Sequence, residues 1–242
     1  MRFAGGIAGG LLVSACSLLT PLGDLGGNGG DGGSSSIAYV QGRAVHDSTS
    51  PKTSLSTSVA LPNITPHDAI VVGVVALQVG PPLNTITITD DRGDTFVPAG
   101  PITSYDGWVN SIVAGAFDVA GASTIVTVDV AGTSVEGMDV FVAEYSGIGA
   151  NDAMSYGTGH TTGPDGIVAT PVKVKGSSDL LIGLAYSDGS AFVGTNFTQR
   201  LSSGDDSSLF EDRITTSVGT YGATATMSAD GNYWVMVMAA FE

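Results

Sequence analysis

Apolar residues alternate with polar ones from Ile37 to the C-terminus, and no segment keeps a helical period. Residues 124–130 (TIVTVDV) place Val126, Val128 and Val130 on one face. Residues 85–89 (TITIT) turn two isoleucines inward in the same way, and residues 168–175 (VATPVKVK) give a third alternating run. Alternation with a period of two indicates strands with one buried face. The pattern therefore predicts an all-β fold.

Three longer runs are apolar at almost every position: residues 69–77 (AIVVGVVAL), 180–186 (LLIGLAY) and 233–241 (YWVMVMAAF). Such runs are typical of central strands that are covered on both faces. Glycine-rich turn signals separate the strands, which is typical of β-sandwiches and jelly rolls. We therefore expect residues 37–242 to form one antiparallel, jelly-roll-like β-sandwich. A chain of 242 residues with one cysteine can bury such a core without disulfides.

A faint internal repeat runs through this region. Residues 65–77 resemble residues 176–186, and residues 123–147 resemble residues 222–242 in the same order. We interpret the repeat as two half-motifs that wrap into one sandwich. The alternative is a coincidence of two generic hairpins.

The N-terminus has the pattern of a secretion signal. Arg2 precedes a short apolar stretch, and small residues follow at positions 14 and 15, so residues 1–15 are predicted to be a signal peptide. Val13-Ser14-Ala15-Cys16 resembles the bacterial lipobox, which implies that Cys16 is acylated and anchors the mature chain to a membrane. Ser17 follows where an inner-membrane retention signal has Asp, which implies an outer-membrane or outer-surface location. The alternative is an ordinary signal peptide, or a wrongly placed start, with a cysteine nearby by chance.

A Gly/Ser-rich linker comes next. Residues 16–36 then comprise the lipid anchor and a segment whose composition is typical of a flexible tether. A tethered body implies that the folded domain works at some distance from the lipid.

The body also resembles a known family. Asp68-Ala69-Ile70-Val71-Val72, Thr89–Phe96 (TDDRGDTF) and Ala143-Glu144-Tyr145-Ser146-Gly147 resemble landmarks of jelly-roll domains that recur in bacterial secreted and surface proteins. The resemblance covers residues 37–242, with His67 in place of the usual Gly and Asp94 in place of the usual Asn. It implies fold and location, and it carries no catalytic residues that can be transferred.

Charge and motif content exclude several functions. The net charge is −15 and the eight Lys and Arg residues are scattered, which argues against nucleic-acid binding. The chain has no G-x-S-x-G motif, and no two of its histidines have the spacing of zinc ligands. His46, His67 and His160 all lie in polar, turn-like sequence, so we expect surface residues.

Acidic residues offer two candidate sites. Glu144 ends an apolar strand, where it is either an acid with a raised pKa or a structural acceptor for a neighbouring turn; the structural role is favoured. Asp90, Asp91 and Asp94 put hard oxygen ligands within one turn, which allows a structural calcium ion. For these three residues, the favoured alternative is a solvated hairpin turn without an ion. The same alternative is favoured for the acidic residues of segment 204–213.

The best candidate for ligand binding is the loop Ser104–Trp108 (SYDGW). Tyr105 and Trp108 supply rings that can stack on a sugar face, and Asp106 can accept hydrogen bonds from hydroxyl groups. The alternative, which we favour, is that Trp108 packs over one end of the core.

Three functions remain in competition. The first is a non-catalytic, surface-anchored binding or adhesion lipoprotein whose ligand is a glycan or another surface. The second is a glycan hydrolase or lyase on a jelly-roll scaffold, and the third is a structural subunit whose edge strands pair with neighbours. We favour the first, because the sequence lacks a catalytic constellation.

Overall fold

The computed structural model describes residues 36–79, 85–160, 166–228 and 233–242, with the backbone alone for residues 49–50. The predicted signal peptide, Cys16 and nearly all of the linker lie outside the described residues. Every element in the described residues is a β-strand and every pairing is antiparallel, which confirms the predicted all-β sandwich class. No helix among the described residues combines the length and the hydropathy that a membrane span requires.

The first half of the described chain contains seven strands: β1 (Ala38–Ile64), β2 (Ala69–Gln78), β3 (Thr85–Asp90), β4 (Val97–Pro98), β5 (Thr103–Tyr105), β6 (Val109–Ala116) and β7 (Ala122–Ser146). They form one sheet in the order β1-β7-β2-β6-β4, with β3 on β7 and β5 on β6.

β1 and β7 are long enough to serve two layers. The end of β7 runs between β2 and the start of β1, whereas its beginning runs between β3 and the end of β1. Register shifts between Ser48 and Ser54 separate the two parts of β1. Val126, Val128 and Val130 from one layer and Val72 from the other share one buried cluster, as the alternation predicts.

The second half of the described chain contains ten strands: β8 (Asn151–His160), β9 (Gly166–Val168), β10 (Val172–Lys173), β11 (Leu180–Ser187), β12 (Ala191–Val193), β13 (Thr198–Ser202), β14 (Ser208–Ile214), β15 (Thr220–Tyr221), β16 (Thr224–Met227) and β17 (Tyr233–Phe241). A five-stranded sheet, β13-β14-β11-β17-β8, covers a three-stranded sheet, β12-β16-β9, and β10 pairs with β15. Met236 and Ala225 belong to the core between the two sheets.

The second half repeats the pairings of the first. β11 lies between β17 and β14 as β2 lies between β7 and β6, and β12 pairs with β16 as β3 pairs with the start of β7. β8 and β9 together take the place of β1. The repeat is therefore real, but the interpretation that both half-motifs wrap into one sandwich is wrong, since each half builds its own pair of layers.

The larger sheets of the two halves stack face to face. Phe141 of β7 and Phe210 of β14 stack across this interface with ring centroids 5.9 Å apart. A Cβ atom at Gly73 would lie 3.1 Å from Phe210 and 3.2 Å from Leu184, so glycine permits the close approach of the sheets. This interface covers the second face of β2, β11 and β17, which confirms the prediction of three central, doubly buried strands.

Residues 168–175 are not the single strand that their alternation predicts. β9 ends at Val168, whose side chain is exposed, and β10 comprises only Val172 and Lys173. Pro171 lies between them and has no N–H group to donate to a strand ladder, which explains the break.

Candidate functional site

The predicted binding loop forms the tight turn of the β5–β6 hairpin. Asp106 and Gly107 both have positive φ angles, 47° and 77°. The Trp108 N–H donates to the Tyr105 carbonyl over 2.9 Å, and the Gly107 N–H donates to Ser104 Oγ over 3.2 Å. Two successive residues with positive φ match the twist of a β-hairpin, and Asp and Gly tolerate that conformation. The turn therefore has one well-defined shape.

Trp108 lies on the surface, with 50% of its area exposed. The expectation that it packs over the core is wrong. Its neighbour Val109 pairs with Tyr105 and with Leu77 and takes the buried position, so alternation turns the indole outward. The Trp108 carbonyl accepts a hydrogen bond from the Gln78 N–H over 2.9 Å, which fixes the hairpin to β2.

Tyr105 is held by aromatic residues from the second half of the chain. Its ring stacks on Tyr233 with centroids 5.6 Å apart and planes 3° apart, and Tyr233 lies 6.3 Å from Tyr186. Burial raises the pKa of Tyr186 and of Tyr233, so both hydroxyl groups stay protonated at neutral pH. Asp106, the next residue after Tyr105 in the chain, is exposed. The hairpin thus joins an exposed indole and a carboxylate to a rigid aromatic support.

Sequence reasoning missed Tyr186 and Tyr233 as members of this group. They lie in the other half of the chain, and their own runs indicate only central strands. Only the stacking of the two halves brings them to Tyr105.

The carboxylates of the predicted calcium loop bind the chain itself. Asp90 Oδ1 accepts hydrogen bonds from the backbone N–H groups of Arg92 (3.1 Å), Gly93 (2.8 Å) and Asp94 (3.0 Å). Asp91 Oδ1 accepts from the Ile125 N–H over 2.9 Å, and this bond lowers the pKa of Asp91. Burial, followed by the hydrogen bond with Asp90, raises the pKa of Asp94. These contacts match the solvated-turn alternative, and calcium binding stays a prediction.

Glu144 is fully buried and ties two segments together. Its Oε2 accepts from Gln41 Nε2 over 2.6 Å, and its Oε1 accepts from the Thr65 N–H over 2.7 Å. Burial, together with the neighbouring Glu144, raises the pKa of Asp68 in the same turn. The geometry supports the structural role, since both oxygens of Glu144 hold the turn between β1 and β2.

The three histidines differ from one another. His67 and His160 are exposed, as the sequence predicts. His46 is not a plain surface residue, because its side chain is only 27% exposed and its Nδ1 lies 2.6 Å from Asp139 Oδ1. That hydrogen bond raises the pKa of His46. Ser208 donates to Asp139 Oδ2 over 2.5 Å instead of to the imidazole, so this trio is not arranged as a nucleophilic triad.

A cleft of about 340 Å³ lies beside the β1–β7 pair, at a place the sequence did not indicate. Arg43, Pro62, Asp91 and Ile125 line it. Because these residues are far apart in the chain, no local motif could have predicted the cleft. Asp91 is already held by Ile125 and Thr124. Arg43 is the one cation among the described residues that line the cleft.

No protein-family model matches the chain, and neither a curated protein nor a solved structure is significantly similar to it.

Proposed function

We propose that this protein is a non-catalytic binding or adhesion protein of the bacterial cell surface, and that it holds a glycan at the β5–β6 hairpin. The observation that carries the proposal is the half-exposed indole of Trp108, on a turn whose backbone is hydrogen-bonded to β2. Sugar-binding surfaces need a flat aromatic face with polar acceptors beside it. Trp108 supplies the face and Asp106 the acceptor.

The ordered backbone of the β5–β6 hairpin is a second argument for ligand binding at Trp108. Immobilising a mobile side chain and its loop costs binding free energy. Here the turn conformation, the bond to Gln78 and the Tyr105–Tyr233 stack order the backbone before any ligand arrives. A ligand that stacks on Trp108 would therefore meet a preorganised surface.

The burial of Glu144 and Glu211 favours binding over glycan hydrolysis by these two acids. A glycosidase presents two carboxyl groups to the sugar from a cleft. Glu144 and Glu211 are both fully buried, and Glu144 is occupied by two internal donors. We therefore keep the hydrolase or lyase as the alternative that the test below would reveal.

The location rests on the N-terminal sequence. We propose that Cys16 is acylated and that the domain stands on the linker at the outer membrane or outer surface. Bacteria that express the wild-type chain should incorporate labelled palmitate into it, and the Cys16→Ser variant should not. Equal labelling of both chains would overturn the lipoprotein proposal without touching the binding proposal.

The binding proposal is tested on a glycan array with two matched variants. Phe192 is exposed to the same extent as Trp108, 50%, and belongs to β12 in the other half. Trp108→Ala should lower glycan retention ~10-fold or more, which corresponds to the loss of ~1.4 kcal/mol or more of binding free energy when an aromatic contact residue is truncated. Phe192→Ala should retain glycan like the wild type.

Measurements of variant stability and of glycan cleavage complete the glycan-array test. Both variants should unfold within about 1 kcal/mol of the wild type, as surface substitutions do. Equal retention by the wild type and Trp108→Ala, or no retained glycan at all, would overturn the proposal. Shortened glycans on the array would show that the alternative, an enzyme, is correct.

A further inference from the structure

A polar cluster joins the two halves of the molecule at one edge of their interface. It comprises His46 of β1, Asp139 of β7 and Asp205 of the turn between β13 and β14, and we call it the His46 site. One ligand atom from each residue lies within 4.8 Å of the other two. The three residues thus converge from two halves and from three separate segments.

Serine residues from the second half orient both carboxylates. Ser208 Oγ donates to Asp139 Oδ2 over 2.5 Å. Ser203 Oγ and Ser207 Oγ donate to Asp205 Oδ1 over 2.7 Å and 2.8 Å. Each carboxylate therefore has one oxygen fixed by hydroxyl groups. The second oxygen of Asp139 faces His46 Nδ1 over 2.6 Å, and the serines leave the second oxygen of Asp205 for another partner. Metal sites use such outer hydrogen bonds to aim their ligands.

Burial and charge at the His46 site also favour a cation. The Asp139 side chain is only 3% exposed and is paired with His46, and the exposed Asp205 adds a second negative charge beside the same imidazole. A divalent ion would balance both carboxylates at once. The partial exposure of His46 and the exposed position of Asp205 leave a path from solvent to the site.

We propose that His46 Nδ1, Asp139 Oδ1 and Asp205 Oδ2 bind one Zn²⁺ ion that links the two halves of the molecule. Three protein ligands and one water give zinc its usual four-coordinate geometry. The imidazole favours zinc over Ca²⁺ and Mg²⁺, which prefer oxygen ligands alone. Binding of the ion breaks the hydrogen bond between His46 Nδ1 and Asp139 Oδ1, and both atoms then donate a lone pair to the ion. The proton between them leaves to solvent or moves to Nε2, so that the bound ring is neutral and carries its one proton on Nε2.

The chain contains a matched control. His67 Nδ1 and Asp118 Oδ1 form a second His–Asp pair at 2.7 Å, but both side chains are at least 80% exposed. No third carboxylate joins His67 and Asp118 in a metal-ligand group among the described residues. If a His–Asp pair alone sufficed for zinc, both pairs would bind it.

The test is a calorimetric zinc titration of the full-length chain in a Cys16→Ser background, which removes the one thiol. We expect one Zn²⁺ per chain, a rise in Tm with zinc, and no response to Ca²⁺. Asp205→Asn keeps the acceptor for the serines and should lower the zinc affinity ~10-fold or more, the range seen when a metal shell is disturbed. His46→Gln should abolish the site, and His67→Gln should bind like the parent.

Each outcome of the zinc titration either supports or overturns the proposed site. Loss of binding in Asp205→Asn with normal folding supports the site even if His46→Gln fails to fold. No zinc uptake by the parent chain would overturn the proposal and leave a plain ion pair between the halves. Equal losses in Asp205→Asn and His67→Gln, or none in Asp205→Asn, would also overturn it.

Discussion

The two halves of the molecule share their strand pairings but not the continuity of their strands. In the first half, β1 and β7 run unbroken for 27 and 25 residues through both layers. In the second half, separate strands occupy the corresponding positions: β8 and β9 take the place of β1, and β16 and β17 take the place of β7. The order and burial of the apolar strands therefore set the topology, and strand length is free to differ.

The halves also differ in where they bury a glutamate. Ile70 of β2 pairs with Glu144, whereas its counterpart Leu181 pairs with Ala240. Conversely, Val72 pairs with Ala114, whereas its counterpart Gly183 pairs with Glu211. Each half thus has one buried acid at a position where the other half has alanine.

The two acids are satisfied unequally. Glu144 receives two hydrogen bonds, but Glu211 receives one, from the Gly194 N–H over 2.9 Å. Glu211 Oε1 has no donor in the described part of the chain. Burial raises the pKa of Glu211 to about 8, so this carboxyl is mostly protonated at neutral pH. The same fold can therefore hold a glutamate either as a satisfied acceptor or as a neutral, partly unsatisfied acid.

The largest expected effect is on the interface between the halves. Phe210→Ala removes the ring that packs on Phe141 and fills the space above Gly73, and should lower the free energy of unfolding by about 3–5 kcal/mol. Because the interface core is shared, we expect a single unfolding transition in calorimetry for the wild type and the variant. Two separate transitions in the wild type would show that the halves are independent domains.

A smaller loss of stability is expected when Glu144 is replaced by alanine, the residue at the corresponding position of the second half. Glu144→Ala leaves the Thr65 N–H and Gln41 Nε2 without their acceptor and should lower the free energy of unfolding by about 2–3 kcal/mol. Glu144→Gln keeps an acceptor oxygen and should cost less in the same urea titration. A loss below about 0.5 kcal/mol for Glu144→Ala would contradict the structural role.

A third effect concerns the pH dependence of stability and Glu211. Between its unfolded pKa and about 8, the native state holds a proton that the unfolded state has released. The stability that this group contributes is therefore complete at low pH and falls by about 1.4 kcal/mol per pH unit as the pH rises through that window.

Glu211→Gln cannot ionise and should lose this part of the slope when stability is measured by urea unfolding from pH 5 to pH 8. Identical slopes for the wild type and Glu211→Gln would mean that Glu211 is ionised in the folded protein. Asp129→Asn, at an exposed position of β7 in the other half, serves as a control for general charge effects.

Parts of the candidate site were predictable and others were not. Tyr105, Asp106 and Trp108 were predicted as a group because an aromatic–acidic–glycine turn is visible in five consecutive residues. The exposure of Trp108 was not, since it depends on Val109 taking the inward position beside Leu77. The break at Pro171 was not predicted either. The alternation of apolar and polar residues does not show where a strand ladder lacks a backbone N–H donor.

By itself, the sequence determined the all-β class, the three doubly buried strands and the repeat of strand order. Each of these is encoded in the period of neighbouring residues, which a strand converts directly into faces. Only the tertiary structure decided that the halves stack instead of wrapping together, and that His46 meets Asp139 from 93 positions away. Such contacts depend on which faces of distant strands are brought together, and no local pattern carries that information.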